Sequence, residues 1–366
     1  MTQTTPAAAG SPPTGARARH SWRLGRPGRS PSSASSTESK HPTDSEHPAA
    51  AGRSAAAGRP TPPARVTDRG RERAVQWLFL APALLYMIAF FGYPIVKNVV
   101  MSLQNYSVSS LYTGSAPFAG LLNYRAIFSS GLFGKLVLNT AVFTIASLIG
   151  QFAIGLGLAM FFSRRFPLNS LIRALLLLPW LIPMVASATV WRWMLGQDDG
   201  VINRILEAVH LAPAGGVPWL SSTSAALAAV VLVNVWVGIP FNMVILYSGL
   251  REIPADIYEA AEIDGAGPVA RFRYITWPML RPVVTVVLVL GFIYTVKVID
   301  IILVVTGGGP ANASQTLAVE SYQLSFKTFL FGQGAAMGNI LILVSLVFAF
   351  VYLRFNRSLI QSEGDL

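Results

Sequence analysis

Few side chains of this sequence have the chemistry of a nucleophile or a transition-metal ligand. The chain contains no cysteine, which excludes a thiol nucleophile, a disulfide framework and a cysteine-based metal site. Of its four histidines, three lie in a polar N-terminal stretch, and only His210 belongs to the remainder. No His–Glu metal spacing occurs, and no serine has a histidine base in an apolar segment. The sequence therefore predicts neither an enzyme nor a metal site on this chain.

A second group of candidates consists of polar and aromatic side chains that interrupt long apolar segments: Asn234, Trp236, Asn242, Tyr294, Lys297 and Asp300. Polar groups inside apolar spans are functional candidates when they face an interior. Amides, carboxylates and hydroxyls beside aromatic rings suit a hydroxyl-rich solute, because they offer donors, acceptors and a flat apolar surface. Two structural alternatives stay open: the asparagines can form interhelical hydrogen bonds, and Lys297 and Asp300, spaced i and i+3, can neutralise each other.

The composition indicates that these side chains belong to a membrane protein. Hydrophobic residues make up 52% of the chain and charged residues 12%, against about 25% charged in soluble proteins. Six apolar runs have roughly the 20 residues that a helix needs to cross a bilayer. They are approximately Trp77–Val96, Leu136–Phe162, Leu171–Leu195, Ala225–Leu250, Val283–Val305 and Met337–Tyr352, the last extended through Gly334. Because lipid cannot satisfy backbone polar groups, the predicted fold class is an all-α polytopic membrane protein.

Several of these runs contain prolines, which can break a helix, or glycines, which allow close helix packing. Pro179 and Pro183 lie one turn apart in the third run, and Gly238 and Pro240 interrupt the fourth. Glycines such as Gly155 line the second run. Small residues of this kind mark either close helix packing or a moving hinge.

The distribution of lysine and arginine predicts that both termini are cytosolic. If the N-terminus is inside, the inner segments hold 21 of the 28 Lys and Arg residues, the outer segments hold six, and Lys297 lies within a span. Positive charge concentrates on the cytosolic side of membrane proteins.

The net charge of +11 resides mostly in an N-terminal tail. Residues 1–73 hold 12 Lys and Arg against 5 Asp and Glu, with few large apolar side chains, so this segment is predicted to be disordered. It is either a solvated extension without a specific partner or a polybasic segment attracted to anionic lipid. The charge therefore does not indicate nucleic-acid binding. The predicted organisation is a basic cytosolic tail (1–73), a six-helix transmembrane domain (74–360) and a C-terminal tail (361–366).

The loop between the fourth and fifth runs, residues 251–282, has the pattern of a helix–turn–helix. One helical face carries residues at i, i+3, i+4 and i+7: Ile257, Ala260, Ala261 and Asp264. Gly265 suits a left-handed helix end, and Pro268 suits the first turn of a second short helix bearing Val269, Phe272 and Ile275. The small alanines allow close approach of a partner's backbone, and Glu259 offers a charge. The alternative is an amphipathic helix on the membrane surface, which the acidic residues of the loop disfavour.

The spacing of Glu259-Ala260-Ala261, Gly265, Ile275 and Pro278 resembles the EAA loop of the permeases of binding-protein-dependent ABC importers. The one departure is Trp277, where that family expects leucine. Three further stretches resemble the carbohydrate-uptake branch of the family: Phe118–Tyr124, Leu178–Pro183 and Thr306–Asn312. The resemblance covers roughly residues 74–359 and leaves out the N-terminal tail.

This resemblance implies a type I ABC importer permease fold with a cytosolic coupling helix, in the cell membrane of a prokaryote. The implied partners are a second permease subunit, two cytosolic ATPase subunits, an extracytoplasmic solute-binding protein and a sugar. ATP and magnesium would bind to the ATPase subunits, and no cofactor is expected on this chain. Glu259 would meet a basic residue of the ATPase, Ala260 and Ala261 would seat the helix in its cleft, and Gly265 would make the turn. Asp264, Ile275 and Pro278 complete the implied coupling loop.

Two other functions are compatible with parts of the sequence. A permease of the same class could carry a polyol, a glycerophosphate or iron, and Lys297 is the one basic group in the predicted path that would favour an anion. An intramembrane enzyme or an ion channel is the alternative from a different class, and the shortage of catalytic side chains argues against the enzyme.

Overall fold

The computed structural model describes residues 69–213 and 215–355, and their side chains between residues 75 and 354. Most of the predicted N-terminal tail and the predicted C-terminal tail lie outside the described residues. Within the described part, the chain forms helices and no strands, and one isolated antiparallel bridge joins Gln104 to Phe118.

The first nine α-helices, in chain order, are α1 (Arg69–Met87), α2 (Tyr93–Ser102), α3 (Val108–Thr113), α4 (Leu122–Ser129), α5 (Phe133–Phe162), α6 (Asn169–Leu175), α7 (Leu178–Leu181), α8 (Met184–Met194) and α9 (Val201–Ala208). They are followed by α10 (Ala226–Glu252), α11 (Ala255–Ile263), α12 (Pro268–Arg271), α13 (Trp277–Val296), α14 (Asp300–Val305), α15 (Leu317–Phe326) and α16 (Phe331–Phe355). Two π-helical turns, Ile88–Gly92 and Phe272–Thr276, join α1 to α2 and α12 to α13.

Five helical segments of the described chain are long and apolar enough to cross a membrane: Val75–Ser102, Phe133–Phe162, Ala226–Glu252, Pro268–Val296 and Phe331–Arg354. A bent pair, Asn169–Leu181 with Met184–Met194, makes a sixth when it is counted as one span. The prediction of an all-α polytopic fold is confirmed, and the predicted runs agree closely with these segments except at the fifth.

The third span is broken at its prolines. The two halves of this span meet at an angle of 96°. Ile182 and Pro183 are extended, with ψ values of 136° and 134°, and α8 begins directly after Pro183. This conformation follows from the proline ring, which disfavours a helical preceding residue. The fourth span behaves differently, because α10 continues through Pro240 without ending.

The predicted fifth span, Val283–Val305, is wrong at both ends. The helical segment begins at Pro268, runs through the π-turn and ends at Val296. Lys297 leaves the helical conformation, and the apolar residues after it form the separate helix α14. The hydropathy pattern did not separate α13 from α14, because two of the three residues between these helices are apolar. The second short helix predicted after Pro268 is therefore the beginning of this span rather than a separate element.

Glycines let three spans pack at close range. A Cβ atom added to Gly155 of α5 would lie 2.7 Å from the Cβ of Asn242 on α10. One added to Gly249 of α10 would lie 2.8 Å from a methyl group of Val283 on α13. Real Cβ atoms do not approach so closely, so these positions require glycine for the observed packing. This favours close packing over a hinge for Gly155.

Polar side chains attach the first span to the last. Asn98 on α2 donates to the side-chain oxygen of Asn339 on α16 at 2.6 Å. The Asn339 amide donates to the Tyr124 hydroxyl at 3.1 Å, and this hydroxyl also lies 2.9 Å from the Ser102 hydroxyl. Tyr124 is the last residue of the stretch Phe118–Tyr124. Through its hydroxyl, this stretch joins the first span to the last.

Candidate functional site

The helix α11 ends in a left-handed turn at Gly265, as the sequence predicts. Gly265 has a φ of +80°. The Ala266 N–H donates to the Ala261 carbonyl at 2.8 Å, and the Gly265 N–H donates to the Glu262 carbonyl at 3.0 Å. These two bonds are those of a Schellman motif, which satisfies carbonyls at a helix end. Glycine fits here because its backbone adopts positive φ without strain.

The loop exposes an apolar surface beside its small residues. Glu259, Ala260 and Asp264 are exposed and Ala261 is half-buried. At the tip of the loop, Ile263 is 87% exposed and the apolar side chains nearby are similarly free: Val269 at 80% and Tyr274 at 74%. An exposed apolar patch rimmed by polar residues is typical of a protein-binding surface.

The last two residues of the predicted motif lie where the loop enters the fifth span. Ile275 lies in the π-turn and Pro278 in the first turn of α13, and both are half-buried. Proline is compatible with this position because the N–H groups of a first helical turn have no intrahelical acceptor.

A cavity of about 570 Å³ lies among the spans. Its wall is formed largely by α10, α13 and α14, with contributions from α5, α7, α8 and α15. Of the predicted path residues, Asn234, Tyr294, Lys297 and Asp300 line it. The lining residues that the sequence did not single out include Gln151, Trp180, Phe241 and Tyr322.

Two predicted path residues do not line this cavity. Trp236 packs against Trp191 with ring centroids 5.6 Å apart, beside a buried apolar cluster. Asn242 is 3% exposed and donates to the Gly238 carbonyl at 2.9 Å. Its neighbour on α5 is Gly155, so the side chain of Asn242 fills space between helices.

Two buried amides line the cavity, Gln151 and Asn234. Gln151 on α5 donates to the backbone carbonyl of Asn234 on α10 at 3.0 Å. The side-chain nitrogen of Asn234 is buried and has no hydrogen-bond partner in the described part of the chain. A buried donor without a partner is costly, because its hydration is lost and nothing replaces it. The described structure leaves this amide nitrogen without a partner in a residue that lines the cavity.

Aromatic rings form one wall of the cavity. Trp180 and Phe241 have ring centroids 6.1 Å apart, and Phe241 meets Tyr294 edge to face at 6.1 Å. The ammonium group of Lys297 lies 5.0 Å from the centre of the Tyr294 ring. The two ion pairs of the described chain lie elsewhere, so Lys297 and Asp300 do not form an ion pair with each other. Their i, i+3 relation is lost because α13 ends before Lys297.

A glycine-rich turn at one end of the spans is fixed to α5. Asn139 donates to the carbonyls of Asn312 and Gln315 at 3.0 and 2.9 Å, and Lys135 donates to the Ala311 carbonyl at 2.7 Å. Burial raises the pKa of the nearby Glu320 carboxyl, and a hydrogen bond from Gln315 lowers it by less. This turn contains the stretch Thr306–Asn312. Its hydrogen bonds to α5 give that stretch a structural role.

The comparison with protein families decides the kind of protein. Residues 151–361 match the family described as "Binding-protein-dependent transport system inner membrane component". The chain belongs to this family. It is therefore a multi-pass membrane protein with a role in transport, in agreement with its helices and with the resemblance of its 251–282 loop.

Two curated relatives match nearly their whole length. The chain is 33% identical to the trehalose/maltose transport system permease protein of Thermococcus litoralis over 78% of this chain and 95% of the relative. It is 32% identical to the sulfoquinovosyl glycerol transport system permease protein of Agrobacterium fabrum over 78% and 92%. Among solved structures, a chain of a bacterial alginate ABC transporter in complex with a periplasmic protein has a TM-score of 0.66. Its identity is 19%, over 81% of this chain and 98% of that one, so this match confirms the fold alone.

The backbone of Gly265 gives a matched test of the loop. Alanine at Gly265 must adopt a positive φ, which costs about 1–2 kcal/mol, although a Cβ there would meet nothing within 4 Å. Gly267 is equally open but has a φ of −69°. We expect Gly265→Ala to impair uptake and Gly267→Ala to leave it near the wild-type rate, measured with radiolabelled solute in cells. Equal uptake by both variants, at equal amounts of inserted protein, would contradict the requirement for a left-handed turn.

Proposed function

We propose that this chain is a permease subunit of an ATP-driven importer that passes a sugar from an extracytoplasmic binding protein to the cytosol by alternating access. The observation that carries the proposal is that α10 and α13, which flank the 251–282 loop, also wall the cavity. Phe241 is 11 residues before the end of α10, which is about 16 Å along a helix. A displacement of the loop therefore acts directly on two walls of the cavity.

The lining of the cavity supports a sugar as the solute. A sugar presents hydroxyl groups that donate and accept hydrogen bonds, together with apolar ring faces. The unpaired amide of Asn234, the side chain of Gln151 and the carboxylate of Asp300 supply polar partners, and Phe241 with Tyr294 supplies a flat surface. The names of the two curated relatives point in the same direction.

A non-sugar solute of the same importer class is the second candidate. The favouring observation is Lys297, whose ammonium group lines the cavity without an ion pair in the described chain. A glycerophosphate would use this charge, whereas a neutral polyol would use the amides; iron is the third possibility. Asp300 opposes an anion in the same cavity.

The 251–282 loop is the proposed contact with the ATPase subunits. Glu259 meets a basic residue of the ATPase, Ala260 and Ala261 seat α11 in its cleft, and the exposed Ile263 adds apolar contact. ATP and magnesium bind to those subunits, so this chain is not itself catalytic. Its apolar outer faces are available to lipid and to a second permease subunit. In the first span, no residue of the most apolar 18-residue stretch is buried by the described chain.

The proposed membrane orientation places the loop and both termini in the cytosol of a prokaryote, following the distribution of lysine and arginine. The cavity then opens toward the binding protein in one state and toward the cytosol in the other. Closure of the ATP-bound ATPase dimer moves the loop between the two states.

A bulky charge at Ala261 tests the ATPase contact. We expect Ala261→Arg to lower co-purification of the ATPase subunits by about tenfold or more, because a charge would be buried without a partner at the interface. Ala255→Arg is the control, since Ala255 lies on the same helix about 120° away around its axis. Full assembly of the Ala261→Arg variant with an active ATPase would refute this role of the loop.

Loss of the Asn234 amide tests the cavity. We expect Asn234→Leu to raise the KM for sugar uptake about 10- to 100-fold, because an unpaired sugar hydroxyl would then face an apolar side chain. Asn242→Ala is the control, because that amide is buried outside the cavity and its loss should leave KM unchanged. The measurement uses proteoliposomes with maltose, glycerol, glycerol phosphate and ferric ion, each with its binding protein. An unchanged KM for every solute in Asn234→Leu would contradict the proposed path.

A further inference from the structure

Two side-chain bridges connect α11 to the start of the fifth span. The Tyr258 hydroxyl lies 2.9 Å from the Thr276 hydroxyl, and an Arg271 guanidinium nitrogen donates to the Glu262 carboxylate at 3.2 Å. Thr276 is 6% exposed, whereas Glu262 is largely exposed. A hydrogen bond in a buried place contributes more than an exposed ion pair, so the Tyr258–Thr276 bond is the stronger of the two bridges.

The bridges form one continuous circuit. The Thr276 hydroxyl donates to the backbone carbonyl of Arg271 at 3.4 Å, so it is free to accept from Tyr258. Arg271 in turn reaches back to α11 through Glu262. Each of the two helical segments therefore contributes two anchor points to the same circuit.

The π-turn gives these anchor points their register. Tyr258 and Glu262 are four residues apart on α11, one turn of an α-helix. Arg271 and Thr276 are five residues apart, at the borders of the turn Phe272–Thr276. Hydrogen bonds in a π-helix join residues i and i+5, so the turn brings Thr276 beside the carbonyl of Arg271. An α-helical turn would place residue 275 there instead, and Ile275 has no hydroxyl group to offer.

The circuit spans the most deformable part of the loop. Between α11 and α12 the chain consists of Asp264, Gly265, Ala266 and Gly267, and the two glycines have few steric restraints on their backbone. Without a cross-connection, a force on α11 would be absorbed by rotation at these residues. With it, α11 and the entry of the fifth span keep one relative orientation.

We propose that Tyr258, Glu262, Arg271 and Thr276 form a brace that makes α11 and the π-turn one rigid lever. The proposal rests on the proposed contact of α11 with an ATPase. The lever continues without a break into α13, whose far end places Gly291, Tyr294 and Thr295 on the cavity. The four residues of the brace position the loop. Through the brace, a displacement of the loop becomes a movement of the cavity wall.

Removal of single hydroxyl groups tests the brace in the full transporter. We expect Tyr258→Phe and Thr276→Val to lower the amount of solute transported per ATP hydrolysed by about two- to tenfold, the equivalent of one hydrogen bond. ATPase subunits should still co-purify, because the exposed face of α11 is unchanged. Thr285→Val is the matched control, since this threonine of α13 is also buried but its hydroxyl donates to the Arg281 carbonyl of its own helix, outside the brace.

The double variant separates a shared bond from two independent defects. If Tyr258 and Thr276 act through one bond, the double variant should couple no worse than either single variant. Wild-type coupling in both single variants would overturn the brace, and so would additive losses in the double variant. Failure of the underlying contact gives a different result: Ala261→Arg would then assemble normally, whatever the brace variants do.

A distance measurement reads the rigidity directly. The chain has no native cysteine, so Ile263→Cys and Met279→Cys can carry the only two nitroxide labels. In reconstituted full-length chain, the interspin distance should be narrowly distributed and should broaden with Tyr258→Phe but not with Thr285→Val. An equally narrow distribution in the Tyr258→Phe variant would overturn the brace.

Discussion

The contact of Gly249 with α13 is the constraint on which the arrangement of the spans depends. A side chain at this position would collide with Leu280 and Val283, so α10 and α13 touch close to the loop that joins them. On its other side, α10 packs equally closely against Gly155 of α5. Protein interiors of this density transmit displacement rather than absorb it. In the proposed mechanism, this packing is what would carry a movement of the loop to the cavity.

Much of the fold was predictable because the bilayer imposes simple rules on sequence. Long apolar runs must be helices, and their lengths gave most of the spans. The predicted bounds of the fifth span were wrong because hydropathy does not detect a helix end within an apolar stretch, as at Lys297. Nor does it detect a span that begins in a polar segment, as at Pro268. The effects of Pro183 and Pro240 differ although both residues lie in spans: the chain is extended at Pro183, whereas α10 continues through Pro240.

The site was predictable where backbone geometry dictates residue type, and less so where packing decides. The left-handed turn at Gly265 follows from local sequence. Asn234 and Trp236 are two residues apart on α10 and therefore face different directions, which separates a cavity residue from a packing residue. Gln151 was missed although it is an amide within an apolar run, a signal that could have identified it. The bond between Tyr258 and Thr276 depends on a π-turn that no residue pattern announces.

The most direct test of coupling between loop and cavity is the distance between α8 and α13, two helices that line the cavity, in two nucleotide states. Met184 lines the cavity on α8 and Val286 lies on α13, and both are exposed enough to carry nitroxide labels as cysteine variants. In the reconstituted transporter, trapping of ATP should shift the interspin distance relative to the nucleotide-free state. An identical distance distribution in both states, in a preparation that hydrolyses ATP and transports solute, would contradict the account.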